Sequence, residues 1–450
     1  MKKIFLFLIS ALFCISIQAA TPKYVFLFIG DGMGINQAAS TENYMHAMGL
    51  GDLNFRHFPV TTFVTTYPYN ALVTDSAAAG TAISSSRKVK NGSVGFLPDS
   101  SWSVSIAEKA KRSGFGAGIL SSEAVNLATP AAFYGHVPSR NEVETIANQL
   151  MDSNIDFAGG ATVWPPKDKG EYWPAQAREH GITVFSGRDN KYVHGTRGRV
   201  LCLGDNLRQS EIPYAIDNNG TRTKLEYFTA SAIDHLYTNW KNGFFLMVEG
   251  AGVDHACHSS DAGAMVMEIM NLSKSVDLAL QFYAKHPNET LIIVTADHET
   301  GYCTMREGDP KLLSNQKCSL NELTHKLSEL SKDGQEVSWG MVKNVLKDNL
   351  GLWDTIEVSR HEERRMTQIY KETYLDSEND TQKDLYNSNK KIAVEAVRYL
   401  DEKAGIVLSG GNHSAAPVAV YVKGPRATEF NACNDNTDIS KVIARIANYR

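Results

Sequence analysis

The sequence predicts an α/β fold, a sheet of buried strands with both faces covered by helices. Five short, almost wholly apolar runs at 24–29, 118–120, 244–248, 291–295 and 418–422 are separated by stretches with helical patterning, which is how strands buried on both faces read. Chemically useful residues follow three of these runs at once: Asp31, Glu249 and the pair Asp297-His298. Open α/β sheets gather their ligands there, beyond the carboxyl ends of the strands. With 450 residues, 43% of them hydrophobic and 21% charged, the chain can bury a large core as one unit or as two domains.

The first residues stand outside that fold. Lys2 and Lys3 precede the apolar stretch 4–17, which closes on Gln18-Ala19-Ala20 before Thr21-Pro22. A basic, an apolar and a small-residue zone in this order describe a cleaved secretory signal, residues 1–19, and the stretch is short for a membrane span. An uncleaved anchor is the alternative. Phe13 before Cys14 is a poor context for lipidation. No second long apolar run follows, so residues 20–450 are expected to be secreted, into the periplasm of a bacterium, with no transmembrane segment in the mature chain. The 45 basic and 50 acidic residues give −5, or −7 once Lys2 and Lys3 are removed, and this balance predicts no nucleic-acid partner. Without Cys14 five cysteines remain, an odd number, so at least one is expected to be free of intrachain pairing. Cys303 and Cys318 could close a short loop, but spacing alone does not decide it.

The apolar runs lead into four segments rich in metal-ligand types. The first leads into Gly30-Asp31-Gly32-Met33-Gly34. The run at 244–248 leads into Glu249-Gly250-Ala251-Gly252-Val253-Asp254-His255-Ala256-Cys257-His258, where Asp254 and His258 have the i, i+4 spacing of one helix face. Thr295-Ala296-Asp297-His298-Glu299 and Gly410-Gly411-Asn412-His413 complete the set. Carboxylates and imidazoles gathered in this way are the composition of a metal centre. In Thr74-Asp75-Ser76-Ala77-Ala78-Ala79-Gly80-Thr81-Ala82 the alanines favour a helix that Asp75 and Ser76 can cap. A phosphate would find free amides at that terminus. A plain helix cap fits the same residues, and only a neighbouring metal would make the Ser76 hydroxyl a competent nucleophile. Residues 311–399 carry more charge and helical patterning and read as a helical insertion before the last strand, a separate domain being the alternative. The charges at 360–384 read as a solvated face.

Taken together and in this order, these motifs resemble the alkaline phosphatase family. The resemblance runs from Tyr24 to the neighbourhood of His413 and includes Ala128-Thr129-Pro130-Ala131-Ala132. It implies a three-layer α/β sandwich with a central, mostly parallel sheet, and a homodimeric phosphomonoesterase with two zinc ions and one magnesium ion. By the same resemblance Asp254, His258 and His413 hold one zinc, Asp31, Asp297 and His298 the other, and Thr129 and Glu249 the magnesium, toward which Asp31 bridges. Ser76 becomes the nucleophile that passes through a phosphoserine. Arg140 becomes the clamp on phosphate, since a planar guanidinium can grip two phosphoryl oxygens, although by itself it reads as a surface cation. The expected substrates are phosphate monoesters, split into an alcohol and inorganic phosphate.

Three positions stand out against the family pattern. Leu127 stands where an Asp or His is common near the magnesium shell, which puts that ion's affinity and identity in question. His255 stands where Lys or His is found and is expected to reach phosphate through water. Ser414 replaces a common Thr and keeps the hydroxyl. Cys257 reads as a buried structural thiol, and His136 as a structural histidine. A two-zinc phosphodiesterase could share the core, but Arg140 and the Thr129–Glu249 pair favour monoesters. Ser76-Ala77-Ala78-Ala79 lacks the signature of a sulfatase, and a noncatalytic phosphate-binding protein would not need a poised Ser76.

Overall fold

The computed structural model describes residues 20–186, 193–218, 220, 223–375, 381–383 and 388–450; the expected signal, 1–19, lies outside them. Its frame is a nine-stranded sheet of β1 (Tyr24–Gly30), β2 (Val60–Val64), β3 (Gly116–Ser121), β4 (Phe157–Gly160), β5 (Thr183–Ser186), β6 (Val200–Leu203), β7 (Phe244–Gly250), β8 (Thr290–Thr295) and the final strand Val418–Lys423. Across the sheet the order is β2, Val418–Lys423, β8, β1, β7, β3, β4, β6, β5. Every pairing from β8 to β5 is parallel, and Val418–Lys423 runs antiparallel to both β8 and β2. The five apolar runs are all strands of this sheet. The four strands that apolarity did not reveal are short or half-exposed: β2 alternates buried and exposed positions, and β5 has no fully buried residue.

β1 owes its uninterrupted apolar sequence to its place. It lies between β7 and β8 with all seven residues buried. Helices Leu225–Asn239, Ala262–Lys285 and Ile35–Ala47 pack into one covering layer, and Ile106–Arg112, Ser76–Ser85 and Thr437–Ala447 into another. The sandwich is thus three-layered, and with parallel strands its carboxyl edge collects the turns that follow β1, β3, β7 and β8.

Within 311–399 the helices Leu320–Glu329, Trp339–Leu350 and Arg360–Tyr374 begin at Ser319, Ser338 and Ser359. Each serine hydroxyl accepts from an amide three residues on, which satisfies one of the donors a helix start leaves open. A hairpin of Thr381–Lys383 and Ser388–Lys390 precedes helix Lys391–Ala404. Leu323, Leu327, Val342, Leu346 and Met366 are buried and continuous with the main core. Cys202, Cys257, Cys303, Cys318 and Cys433 are all buried and free, so Cys303 and Cys318 do not close a loop.

Asp261 ties this segment to the sandwich. Its carboxylate caps helix Ala262–Lys285 through Ala264 N at 2.9 Å and also accepts from Gln316 Nε2 at 2.8 Å and Leu320 N at 2.6 Å. Asp261→Ala would remove the cap and strand buried donors on both sides, a loss of about 2–4 kcal/mol. A clear fall in the thermal unfolding temperature is expected, with protease cleavage concentrated in 311–399; an unchanged melting temperature would refute the tie.

Candidate metal centre

The turn after β1 shows why glycine is needed at this edge. Gly32 has φ of +69°, and a Cβ there would lie 2.8 Å from Asp254 Oδ1 and 2.9 Å from Thr300 Oγ1. The turn can therefore press Asp31 against the segments that follow β7 and β8. Asp254, His258 and His413 form one group whose ligand atoms lie within 4.8 Å of one another, and Asp31, Asp297 and His298 form a second. In the first, His258 Nε2 is 3.2 Å from Asp254 Oδ2 and 3.1 Å from His413 Nε2. In the second, His298 Nε2 is 3.4 Å from Asp31 Oδ1 and 3.2 Å from Asp297 Oδ2.

Each imidazole is aimed by a bond on its other nitrogen. Nδ1 of His258 faces Gly411 O at 2.8 Å, Nδ1 of His413 faces Thr74 O at 2.9 Å, and Nδ1 of His298 lies 3.1 Å from Thr300 Oγ1. Donation from Nδ1 to these oxygens leaves Nε2 as the inward lone pair, the orientation metal-bound histidines take. The carboxylates fit the same purpose. Asp31 Oδ1, Asp297 Oδ2 and Glu249 Oε1 are buried and accept no hydrogen bond, which is costly unless a cation meets them. The donor set of oxygens and imidazole nitrogens suits zinc.

Burial, and then the neighbouring charge of Asp297, pushes the Asp31 carboxyl well above its ordinary pKa. Burial and Glu123 do the same to Glu249, and burial with Asp254 lifts Asp297 to about 7. Burial also works against Asp254, but the His258 hydrogen bond and the charges of His298, His258 and His413 outweigh it and hold Asp254 below the usual range. His298 is pushed well below by burial and then by His413, whereas Asp254 more than offsets burial at His258 and raises it.

The other predicted residues converge on this centre. Asp75 caps helix Ser76–Ser85 through Ala78 N at 3.0 Å, and the buried Ser76 Oγ lies 3.3 Å from His298 Nε2. Gly80 lets that helix cross closely, since a Cβ there would be 3.3 Å from Thr129 Cα. Thr129 Oγ1 donates to Asp31 Oδ2 at 3.4 Å, and Glu249 Oε2 accepts from Ser121 Oγ. Arg140 Nη1 lies 3.4 Å from Asp75 Oδ2, beside the serine. Leu127 precedes helix Ala128–Ala131 and gives it no side-chain cap.

His255 is held between two carboxylates. Its Nδ1 pairs with Glu211, and its Nε2 faces Glu123 Oε2 at 3.5 Å. Both nitrogens are directed at carboxylates rather than toward Ser76. Burial opposes a charged ring, but Glu211 and Glu123 prevail and hold His255 well above its ordinary pKa.

Sequence reasoning also passed over Thr300, whose hydroxyl donates to Asp254, and Ser121 beneath Glu249. Thr300 directly follows the Asp297-His298-Glu299 motif; Ser121 carried no signal beyond ending a strand. The Ser414 hydroxyl donates to Glu299, joining the His413 strand to the segment of His298. A third cluster, Glu42, His46 and Asp52, contains neither Thr129 nor Glu249; its His46 and Asp52 are exposed, and Arg56 pairs with Glu42 at 2.6 Å.

A three-layer sandwich carrying paired Asp/His clusters and a capped serine at the carboxyl edge of its sheet defines a metal-binding hydrolase of the phosphatase kind. The model of the family described as alkaline phosphatase matches residues 22–160 and 192–449, and the chain belongs to that family. It is 27% identical over 443 residues to alkaline phosphatase 4 of Bacillus subtilis, covering 95% of this chain and 89% of that one. With the alkaline phosphatase of Escherichia coli it shares 30% over 338 residues, 63% of this chain and 71% of the other. A cold-active alkaline phosphatase from Shewanella sp. has the same fold, with a TM-score of 0.78 at 24% identity over 94% of this chain and 99% of its own.

Removing bound cations should leave a pH signature. Without them, Asp31, Asp297 and Glu249 hold protons in the folded state that the unfolded chain has released by about pH 5, so stability falls as pH rises through the folded values. His258 acts in the same direction, and His298 opposes it as one group against four. The chelated protein is therefore expected to melt lower at about pH 7.5 than at about pH 5.5, and restored zinc should raise the melting temperature most at the higher pH. Thermal unfolding at both values checks this; a chelated protein that is more stable at the higher pH would refute it.

Proposed function

We propose that the chain hydrolyses phosphate monoesters to an alcohol and inorganic phosphate through a phosphoserine at Ser76. The observation that carries this reading is the buried Ser76 hydroxyl, 3.3 Å from His298 Nε2, at the start of a helix whose cap also meets Arg140. In this reading residues 20–450 form one catalytic domain, with 311–399 as an insertion, and the enzyme acts as a homodimer secreted to the periplasm behind a cleaved leader. Among the described residues no helix is long and apolar enough to cross a membrane.

Arg140 would take two phosphoryl oxygens in its fork and turn the phosphorus toward Ser76. The amides at the start of helix Ser76–Ser85 add positive potential where phosphate charge gathers. The serine oxygen then forms a bond to phosphorus in line with the departing ester oxygen, which leaves as the alcohol once protonated. Water cleaves the phosphoserine and restores the hydroxyl. Asp254, His258 and His413 would hold one zinc and Asp31, Asp297 and His298 the other; these ions, when bound, lower the pKa of serine and water and neutralise developing charge. Thr129, Glu249 and Asp31 offer the hard oxygens that magnesium prefers. Solved structures of two variants of the Antarctic TAB5 alkaline phosphatase hold magnesium in a site named M3, which supports a third ion of this kind.

Ser76→Ala should lower turnover of a phosphate monoester by about a thousandfold or more, with zinc content unchanged, because it removes a nucleophile and not a ligand. Acid-quenched native enzyme should carry phosphate on Ser76 by mass spectrometry. Full turnover in the variant would remove Ser76 from the mechanism, and faster cleavage of a diester than of a monoester would overturn the substrate class.

Leu127 supplies no polar group beside Thr129 and Glu249, so the third ion should bind weakly. Magnesium titrated into zinc-loaded enzyme should activate it, and Leu127→Asp should move half-activation to lower magnesium. An unmoved titration at constant zinc would count against this role.

A further inference from the structure

His258 is shared between the metal centre and a cleft of about 940 Å³ that the phosphate chemistry leaves unused. Its walls also carry Arg306, Arg365, Arg398, Glu395 and Glu402. Helices of the segment 311–399 and its continuation bring four of these charges. The other wall is the loop of Gly411, whose carbonyl accepts from His258 Nδ1 at 2.8 Å. One wall of the cleft is thus continuous with the backbone that aims a candidate ligand.

The charges divide unevenly. Arg365 Nε lies 2.8 Å from the mostly buried Glu395 Oε1, and Arg398 spans Glu395 and Glu402. Those four cancel. Arg306 is exposed and has no carboxylate partner among the described residues. Its backbone is fixed, with its amide donating to Gly405 O at 2.8 Å just after Thr304–Met305 pairs with Ile406–Val407. Among the described residues the cleft therefore presents one guanidinium without a carboxylate partner, just past strand Thr304–Met305.

Resting on the reading of Ser76 as nucleophile, in-line displacement sends the leaving oxygen to the side of phosphorus away from Ser76. Ser76 Oγ lies beside His298 of one group of candidate ligands, and His258 of the other group lines the cleft. We propose that the cleft is a leaving-group subsite, and that Arg306 selects phosphate monoesters whose alcohol bears a second anionic group, a carboxylate or another phosphate. A guanidinium is suited to either, and its weak hydration lowers the cost of meeting an anion in a partly enclosed site.

The test uses metal-loaded full-length enzyme and a matched pair of substrates, glycerol phosphate and phosphoglycerate, with a glycerol bisphosphate as a third arm. The native enzyme should show a KM about three- to tenfold lower for at least one dianionic arm than for glycerol phosphate, an advantage that shrinks as salt is added. Arg306→Ala should abolish the advantage and leave glycerol phosphate kinetics unchanged, and Arg306→Lys should retain part of it. Calorimetric binding of the corresponding phosphonates to Ser76→Ala enzyme should show the same dependence on Arg306 without turnover. A native enzyme that does not discriminate, or an Arg306→Ala variant that weakens all three substrates equally, would overturn the subsite. Hydrolysis of all three that is insensitive to Ser76→Ala would instead refute the phosphoserine reading and is distinguishable from either.

Discussion

Carboxylates crowded out of water set the terms for the rest of this structure. Asp31, Glu249, Asp254 and Asp297 are all nearly or fully buried at one edge of the sheet, and like charges so placed repel strongly in a poorly screened interior. Only Asp254 is relieved by neighbouring imidazoles; the other three are pushed toward neutrality. A fold tolerates such an arrangement when cations complete it. The apolar sheet beneath is what holds the acids together against that repulsion. β1, β7 and β8 lie side by side in parallel register, and a residue just past the end of each strand has no freedom to move away.

Much of this was legible because the sheet is buried on both faces. A doubly covered strand must be apolar throughout, so β1, β7 and β8 are conspicuous in the sequence, and the first polar residue after each is where ligands collect. The i, i+4 spacing of Asp254 and His258 likewise translates directly into a shared helix face, Gly252–His258. Illegible were β2 and β5, which are partly exposed, β4 and β6, which are buried but only four residues long, and the contacts made by backbone. Gly411 O and Thr74 O aim two histidines, and any residue could supply a carbonyl, so no side-chain type announces it.

His255 shows a different limit. The family resemblance suggested that it reaches phosphate through water, but one residue along a helix from Asp254 turns a side chain about 100° away. Asp254 and His258 share a face, and His255 must leave it. Glu123 follows β3 and Glu211 lies in the connection after β6; they meet across an isolated bridge and receive the ring between them. The resulting pair of ionic contacts pins the loop of Glu211 to the helix that carries two candidate ligands. His255 thus ties the helix of Asp254 and His258 to Glu123 and Glu211.

The segment 311–399 stands in a similar relation to the site from the opposite side. Asp261, three residues beyond His258, is bonded to Gln316 and Leu320, so the ligand helix and the insertion share an anchor. The insertion then returns through helix Lys391–Ala404 to face His258 across the cleft. Groups that would bind and cleave the phosphoryl group are supplied by the sheet edge, whereas the cleft is walled jointly by this segment, through Arg365, Glu395 and Arg398, and by residues 407–412. Because the sheet-edge groups are over-determined by packing and the cleft walls are half-exposed, sequence change in the insertion could alter which alcohol is accepted while leaving the metal-ligand geometry intact.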